Sequence, residues 1–157
     1  MRDLDLVIRN GTVATASDVF RADVGVKDGK IVALATDLPA GAREIDASGR
    51  LVLPGGIDRH CHIEQMTSSG AGTADDFASG TRSAAAGGTT SVICFSTQAK
   101  GGTIAANVRD YHERARKALI DYSFHIIVND PNAAAMEELP TLIEEGHRSI
   151  KIFMTYD

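Results

Sequence analysis

Cysteine is scarce in this sequence, and long apolar runs are missing. The two cysteines, Cys61 and Cys94, have neither CxxC nor zinc-finger spacing, which favours free thiols in a reducing compartment. No apolar stretch approaches the roughly 18 residues of a membrane span, and the start at Met1 has no secretory apolar segment. These absences predict a cytoplasmic protein without a membrane partner.

A basic tract is also absent. The formal net charge is −5 with acidic and basic residues interspersed, so neither nucleic acid nor an anionic membrane is an expected partner. Internal repeats and low-complexity segments are missing too. The 157 residues suffice for one ordinary domain, but an eight-stranded β/α barrel needs about 250 residues. The chain can therefore hold only part of such a barrel.

Turn-forming dipeptides divide the first fifty residues. Asn10-Gly11 and Asp28-Gly29 each separate two short apolar runs. Because both dipeptides tolerate positive φ angles, they predict β-hairpins. A further predicted strand pair, 43–46 and 50–53, flanks Ser48-Gly49. Residues 1–53 are therefore predicted to be all β.

After Pro54 the pattern changes to alternating strands and helices. Thr73 has capping-box spacing with Asp76 and predicts the start of a helix, and a third helical stretch is expected to break near Pro140. Short apolar runs predict strands over 89–95, 124–128 and 149–155. Helical periodicity predicts a second helix between the first two of these strands. Strands about thirty residues apart with helices between them form parallel βα units. Residues 54–157 are thus predicted to contain four βα units.

Residues 54–62 carry the most informative motif, Pro-Gly-Gly-Ile-Asp-Arg-His-Cys-His. On a strand, residues i and i+2 project from the same face. His60 and His62 can therefore reach one metal ion from a strand end, with Cys61 pointing away.

Four separated segments resemble the cyclic amidohydrolases of the amidohydrolase superfamily, and more closely the dihydropyrimidinases and hydantoinases. The segments are 54–62, 87–93, 121–125 and 149–157, and they follow one another in the family's order and spacing. The resemblance covers the whole chain and implies an incomplete α/β protein, the N-terminal portion of such an enzyme. It implies the N-terminal part of a small β-sandwich over 1–53 and the first half of a (β/α)8 TIM-like barrel over 54–157.

Lys151 has a definite chemical interpretation. Ser149, Lys151 and Phe153 share one face of the last predicted strand, and the opposite face is wholly apolar and suits packing on helices. Lys151 is thus predicted to point into the barrel, where an unpaired ammonium is costly. Burial favours the neutral amine of a lysine, which can add carbon dioxide to give a carbamate that bridges two cations.

The resemblance implies a binuclear zinc site in which His60, His62 and carboxylated Lys151 are ligands. Tyr156 matches the tyrosine that binds the substrate and donates a hydrogen bond to the developing oxyanion. Asp58 is predicted either to orient a ligand or to cap the turn after its strand. The family's other ligands, two histidines and an aspartate, are expected beyond this sequence, so the chain alone is predicted to be inactive.

The remaining histidines and one loop receive weaker assignments. His112 and His147 are predicted to be solvated, and His125 to be a hydrogen-bonded core histidine. The glycine-rich residues 68–72 follow the His-x-His motif, where a barrel has its first active-site loop. The resemblance makes this stretch a substrate-gating loop.

The predicted activity is hydrolytic opening of the cyclic amide ring of dihydropyrimidines or 5-substituted hydantoins, by a homotetramer or dimer when the protein is full length. The alternatives are a dihydroorotase or allantoinase, and a non-catalytic oligomeric scaffold. Dihydroorotases resemble one another in an arginine two residues after the second histidine, which pairs with the substrate carboxylate. Glu64 occupies that position here, and its charge has the wrong sign for such a substrate.

Overall fold

The computed structural model describes residues 3–66 and 70–154, and the chain folds into two units, Met1–Pro54 and Gly55–Asp157. The first unit contains one five-stranded sheet in the order β3-β2-β1-β4, with β5 also beside β1. Its strands are β1 (Leu4–Ala14), β2 (Val19–Lys27), β3 (Lys30–Ala35), β4 (Gly41–Asp46) and β5 (Leu51–Val52). The second sheet of a sandwich does not occur among the described residues and stays a prediction.

The two turn dipeptides behave differently. Asp28 and Gly29 have φ angles of 50° and 71° and join β2 to β3 as the predicted hairpin. The hairpin predicted at Asn10-Gly11 is wrong, because β1 runs through it as one strand with a bulge, and Asn10 has a φ of 61°. A Cβ added to Gly11 would lie 2.5 Å from the Val52 side chain. Glycine is therefore required here by strand packing rather than by a turn.

The strands around Ser48-Gly49 do not pair with each other, contrary to the prediction. Both β4 and β5 instead lie parallel to β1, whereas β2 is antiparallel to it. A parallel neighbour needs a crossover instead of a tight turn. The Ser48-Gly49 turn therefore lies between two strands that pair with successive parts of β1: β4 pairs with its first part and β5 with its last part.

The second unit is a parallel sheet in the order β6-β7-β8-β9 with helices between its strands, which confirms the predicted α/β alternation. The closed eight-stranded barrel stays a prediction. No helix of the described part of the chain is long and apolar enough to cross a membrane. The elements are β6 (Gly56–Asp58), α1 (Phe77–Ala86), β7 (Thr89–Thr97), α2 (Ile104–Ala115), β8 (Asp121–Ile127), α3 (Ala133–Glu144) and β9 (Ile150–Lys151).

Two helix details differ from the predictions. The capping box lies three residues later than expected, because Asp76 accepts a hydrogen bond from the Ser79 amide at 2.8 Å and its own amide donates to Ser79 Oγ. Helix α3 continues through Pro140. Proline removes one backbone hydrogen bond there, and the buried Leu139 and Leu142 on either side hold the helix against its neighbours.

The parallel sheet separates two environments. Val92, Cys94 and Phe124 point to the helix side, where they pack with Phe77 and Tyr111 in a buried cluster. Side chains alternate along a strand, so Phe95, His125 and Lys151 project from the other face. In a barrel that face is the interior, and in this chain it carries the polar side chains of interest.

Candidate active site

His60 and His62 project to the same side and pack on one aromatic ring. Their ring centroids lie 4.7 Å and 4.8 Å from that of Phe95, and 5.5 Å from each other. The residues follow β6 rather than lie within it, yet the predicted alternation holds. Phe95 is 3% exposed, and it provides an apolar floor beneath both imidazoles.

Cys61 points the opposite way, as predicted, into the cluster on the helix side. Its Sγ lies 3.4 Å from Cys94 Sγ, and both cysteines are free thiols. The hydrogen bond from Cys94 lowers the pKa of Cys61, whereas this bond and burial raise the pKa of Cys94. The alternation between the histidines and Cys61 thus places the two imidazoles and the thiol on opposite faces of one short segment.

Lys151 reaches the same aromatic floor from β9. Its Nζ lies 4.3 Å from the Phe95 ring centroid and 5.1 Å from that of Phe153. Over residues 3–66 and 70–154, Lys151 makes no ion pair with a carboxylate. A basic side chain is therefore held over aromatic rings, beside two imidazoles, without an acidic partner from the described chain.

His125 lies on this face too, but its ring is already engaged. Its centroid lies 5.1 Å from Phe95, its Nε2 lies 2.9 Å from the Arg59 carbonyl oxygen, and its Nδ1 contacts Ser149 Oγ. Both ring nitrogens thus have protein partners. This geometry fits the predicted structural histidine and ties β8 to the segment that carries His60.

Gln65 is a functional candidate that the sequence analysis missed. Its Oε1 contacts His62 Nδ1, and its Nε2 donates to Thr97 Oγ1 at 2.8 Å. An acceptor at Nδ1 places the proton there and leaves Nε2 as the free ligand atom. The three-residue separation from His62 was the only sequence signal.

Asp58 contacts the backbone rather than an imidazole. Its Oδ1 accepts a hydrogen bond from the His60 amide at 3.0 Å. This is the turn-capping alternative of the two predicted for Asp58. It fixes the path of the chain into His60.

Glu64 does not face the candidate site, and the substrate argument built on its charge is wrong. Its carboxylate accepts a hydrogen bond from the Phe77 amide at 3.1 Å, at the start of α1, and pairs with Lys117 at 3.0 Å. A positive φ of 49° at Glu64 accompanies this turn toward the helix side. The carboxylate stabilises the first turn of α1, where negative charge is favourable.

The face around Phe95 borders a cavity of about 340 Å³. Two larger cavities, about 510 Å³ in the first unit and about 440 Å³ beside α2 and α3, are lined by none of His60, His62 and Lys151, so we assign the site to the smaller one. Tyr156 and residues 68–69 of the predicted gating loop lie outside the described residues. The smaller cavity is lined by His62, Gln65, Met66, Thr73, Thr97, Ile127, Lys151 and Phe153.

The prediction that His147 is solvated is wrong. His147 is 7% exposed, and its Nε2 lies 3.3 Å from His112 Nε2. Its Nδ1 has no hydrogen-bond partner among the described residues, and burial lowers the pKa of His147. A loop position next to glycine gave no sign of this burial, which results from the packing of α2 against α3.

No set of three His, Cys, Asp or Glu side chains converges on one metal position in the described part of the chain. The arrangement around Phe95 instead offers two imidazoles and one amine. Such a set can supply only some of the ligands of a metal ion, and it leaves coordination positions open for others.

Comparison with known proteins identifies relatives over almost the whole chain. The sequence is 46% identical to the D-hydantoinase of Ralstonia pickettii over 154 residues, which are 98% of this chain and 34% of that protein. It is 37% identical to a D-phenylhydantoinase of Escherichia coli over 155 residues, 96% of this chain and 33% of the relative. No protein-family model matches the chain.

Solved structures agree with the sequence comparison. The chain matches a D-hydantoinase structure with a TM-score of 0.93 at 45% identity, covering 98% of this chain and 34% of that one. It matches the dihydropyrimidinase of Brevibacillus agri with a TM-score of 0.90 at 46% identity, covering 96% and 33%. The chain is therefore a homologue of the D-hydantoinases and dihydropyrimidinases over nearly its whole length, and it spans about one third of theirs.

Proposed function

We propose that this chain contributes part of the metal site of a cyclic amidohydrolase that opens the ring of dihydropyrimidines or 5-substituted hydantoins. The observation that supports the proposal is the convergence of His60, His62 and Lys151 on the Phe95 ring in a homologue of D-hydantoinases. The proposal includes a cytoplasmic full-length enzyme, a completed (β/α)8 barrel and assembly into a homo-oligomer.

The donor types of His60, His62 and Lys151 suit part of a site for two zinc ions. Imidazole nitrogens suit zinc, and a carboxylated Lys151 would add two anionic oxygens that can bridge two cations. When bound, the zinc ions supply a Lewis acid for the substrate carbonyl and lower the pKa of a bound water to about 7. The lack of a carboxylate beside Lys151 supports carboxylation, because the amine has no competing acidic partner in the described chain.

The chain's own residues would prepare this site in distinct ways. Gln65 holds the His62 ring in the tautomer whose Nε2 is free, and Asp58 fixes the turn that leads into His60. Phe95 excludes water beneath the ligands and lowers the local dielectric, which strengthens electrostatic interactions there. In the proposal, Tyr156 donates a hydrogen bond to the oxyanion that develops on the substrate carbonyl, and it holds the substrate by the same contact.

The full-length protein tests the proposal directly. We expect two zinc ions per subunit and a higher kcat/KM for dihydrouracil or a 5-substituted hydantoin than for dihydroorotate. Removal of zinc by a chelator should abolish turnover, and added zinc should restore it. A preference for dihydroorotate or allantoin would establish the alternative enzymes, and a zinc-free protein without turnover would establish the scaffold.

A further inference from the structure

Cys61 and Cys94 form a contact pair beside the metal-ligand segment. Their Sγ atoms lie 3.4 Å apart, and neither belongs to a disulfide. Cys94 is fully buried within β7, whereas Cys61 is partly exposed. A small oxidant therefore meets Cys61 before Cys94.

We infer that Cys61 and Cys94 are an oxidation site that closes to an intramolecular disulfide when the protein meets hydrogen peroxide. Cys61 Sγ attacks one peroxide oxygen, the O–O bond breaks, and Cys61 becomes a sulfenic acid with release of water. Cys94 Sγ then attacks the Cys61 sulfur, the S–O bond breaks, and the hydroxyl group leaves as water with the Cys94 proton. Two thiols lose two electrons and two protons, and one peroxide is reduced to two waters.

Closure needs only a small movement. A disulfide has an S–S length of about 2.05 Å, so the two sulfur atoms must approach by about 1.3 Å from their present 3.4 Å. Strand β7 is paired on both sides, with β6 and with β8. Cys61 lies outside every strand and helix, and we therefore expect the segment 59–62 to move toward β7.

This movement has a consequence for the candidate site, which rests on the proposed function. His60 and His62 flank Cys61, so closure would shift both imidazoles relative to Lys151. Displacing a catalytic group by 1 Å can cost about 100-fold in rate. The oxidised enzyme should accordingly lose roughly that factor in kcat/KM, and dithiothreitol should restore it.

Peptide mapping of the full-length protein decides whether the disulfide forms. The protein is purified reduced, treated with hydrogen peroxide, alkylated and digested with trypsin without reduction. Cleavage after Arg59, Arg82 and Lys100 separates the two cysteines, so we expect peptides 60–82 and 83–100 to appear linked. Cys61 recovered as sulfinic acid, or both cysteines recovered alkylated at full peroxide exposure, would overturn the inference.

A variant provides the matched control. In Cys94→Ala, oxidised Cys61 has no resolving partner, so we expect a sulfenic acid that dimedone captures and no link between the two peptides. A link from peptide 60–82 to any other cysteine of the wild-type protein, in place of peptide 83–100, would also overturn the inference. The mapping needs no activity, so it remains decisive even if the proposed hydrolase function fails.

Discussion

One cluster of polar side chains in each unit shows a contrast in how charge is paired. In the first unit, Arg9 lies between Asp23 and Glu44. Its Nη1 lies 3.1 Å from Asp23 Oδ2, and its Nη2 forms a short ion pair with Glu44. Hydrogen bonds, chiefly from the Asn10 amide to Asp23 and from Arg9 to Glu44, lower the pKa of both carboxyls. Every member of this network has a partner of opposite charge.

In the second unit, Lys151 and two imidazoles share one aromatic floor and no carboxylate is paired with the lysine in the described chain. Complementary partners stabilise a fold, whereas clustered bases without a counter-charge leave a demand for one. In the proposed function, carboxylation would turn the Lys151 side chain into an anion, and a metal ion would accept lone pairs from the two imidazoles. The contrast is between charges that pair within the fold and basic side chains that the described chain leaves without a carboxylate partner.

The largest expected effect follows from removing the unpaired base. Lys151→Ala in the full-length protein should lose most of its zinc. Its kcat/KM should fall by more than about 100-fold, because replacing a residue that only supports a ligand already costs up to about that factor. Metal analysis and kinetics on the purified variant measure both. Lys117→Ala is the matched control, because Lys117 pairs with Glu64 and Asp76 away from the site. Two zinc ions retained by Lys151→Ala would contradict the ligand assignment.

A smaller effect is expected where a neutral side chain supports a ligand. Gln65→Leu removes the acceptor at His62 Nδ1, so we expect a loss of roughly 10- to 100-fold in zinc affinity. Competition with a chromophoric chelator measures it. Glu64→Gln is the control, because Glu64 caps α1 and should alter stability without altering zinc affinity. Equal zinc affinity in wild type and Gln65→Leu would show that the contact does not orient the ring.

The ion-pair network of the first unit should respond in stability rather than activity. Asp23 is buried and accepts bonds from the Asn10 and Leu38 amides and from Arg9. Asp23→Asn replaces a carboxylate oxygen, which accepts hydrogen bonds, by an amide NH2 group that cannot accept them. We expect the free energy of unfolding to fall by about 1.5 kcal/mol. Hydrogen exchange of the β1 and β2 amides measures the local free energy of opening.

Asp5→Asn provides the comparison for that network. Asp5 pairs with Lys27 at the surface, with 47% of its side chain exposed. Exposed pairs contribute little, so the loss of stability should be much smaller than that of Asp23→Asn. Equal losses in the two variants would mean that burial does not separate these carboxylates.

How much the sequence predicted depended on whether a signal was local. The Asp28-Gly29 hairpin and the helices of the second unit follow from turn chemistry and periodicity within a few residues. Asn10-Gly11 has the same chemistry but forms a bulge, because β5 and Val52 pack against it from a distant part of the chain. A positive φ is common to turns and bulges, so the dipeptide alone could not distinguish them.

The residues of the candidate site also divide into those with a local sequence signal and those without one. The common face of His60 and His62 and the inward direction of Lys151 could be predicted from alternation, and their role as ligands stays a prediction. Phe95 and Gln65 could not be found, because their roles depend on which strands lie beside one another. In the structure, Phe95 is opposite His125 in the pairing of β7 with β8, and Gln65 reaches Thr97 at the end of β7.

The smallest effect should again separate the two units, this time through pH. All five histidines lie in the second unit, and burial, with a smaller contribution from the charge of His112, lowers the pKa of His147 from its ordinary value of 6.5. The unfolded chain therefore binds a proton more readily than the folded one. The stability that depends on a neutral His147 is fully present above pH 6.5 and is lost as the pH falls through the lower pKa of the folded state.

We expect the α2 and α3 amides to exchange faster, after correction for intrinsic rates, at pH 5.5 than at pH 7.5, while those of β1 and β2 change little. His147→Gln should remove the difference, and an unchanged pH response in that variant would assign it to another group.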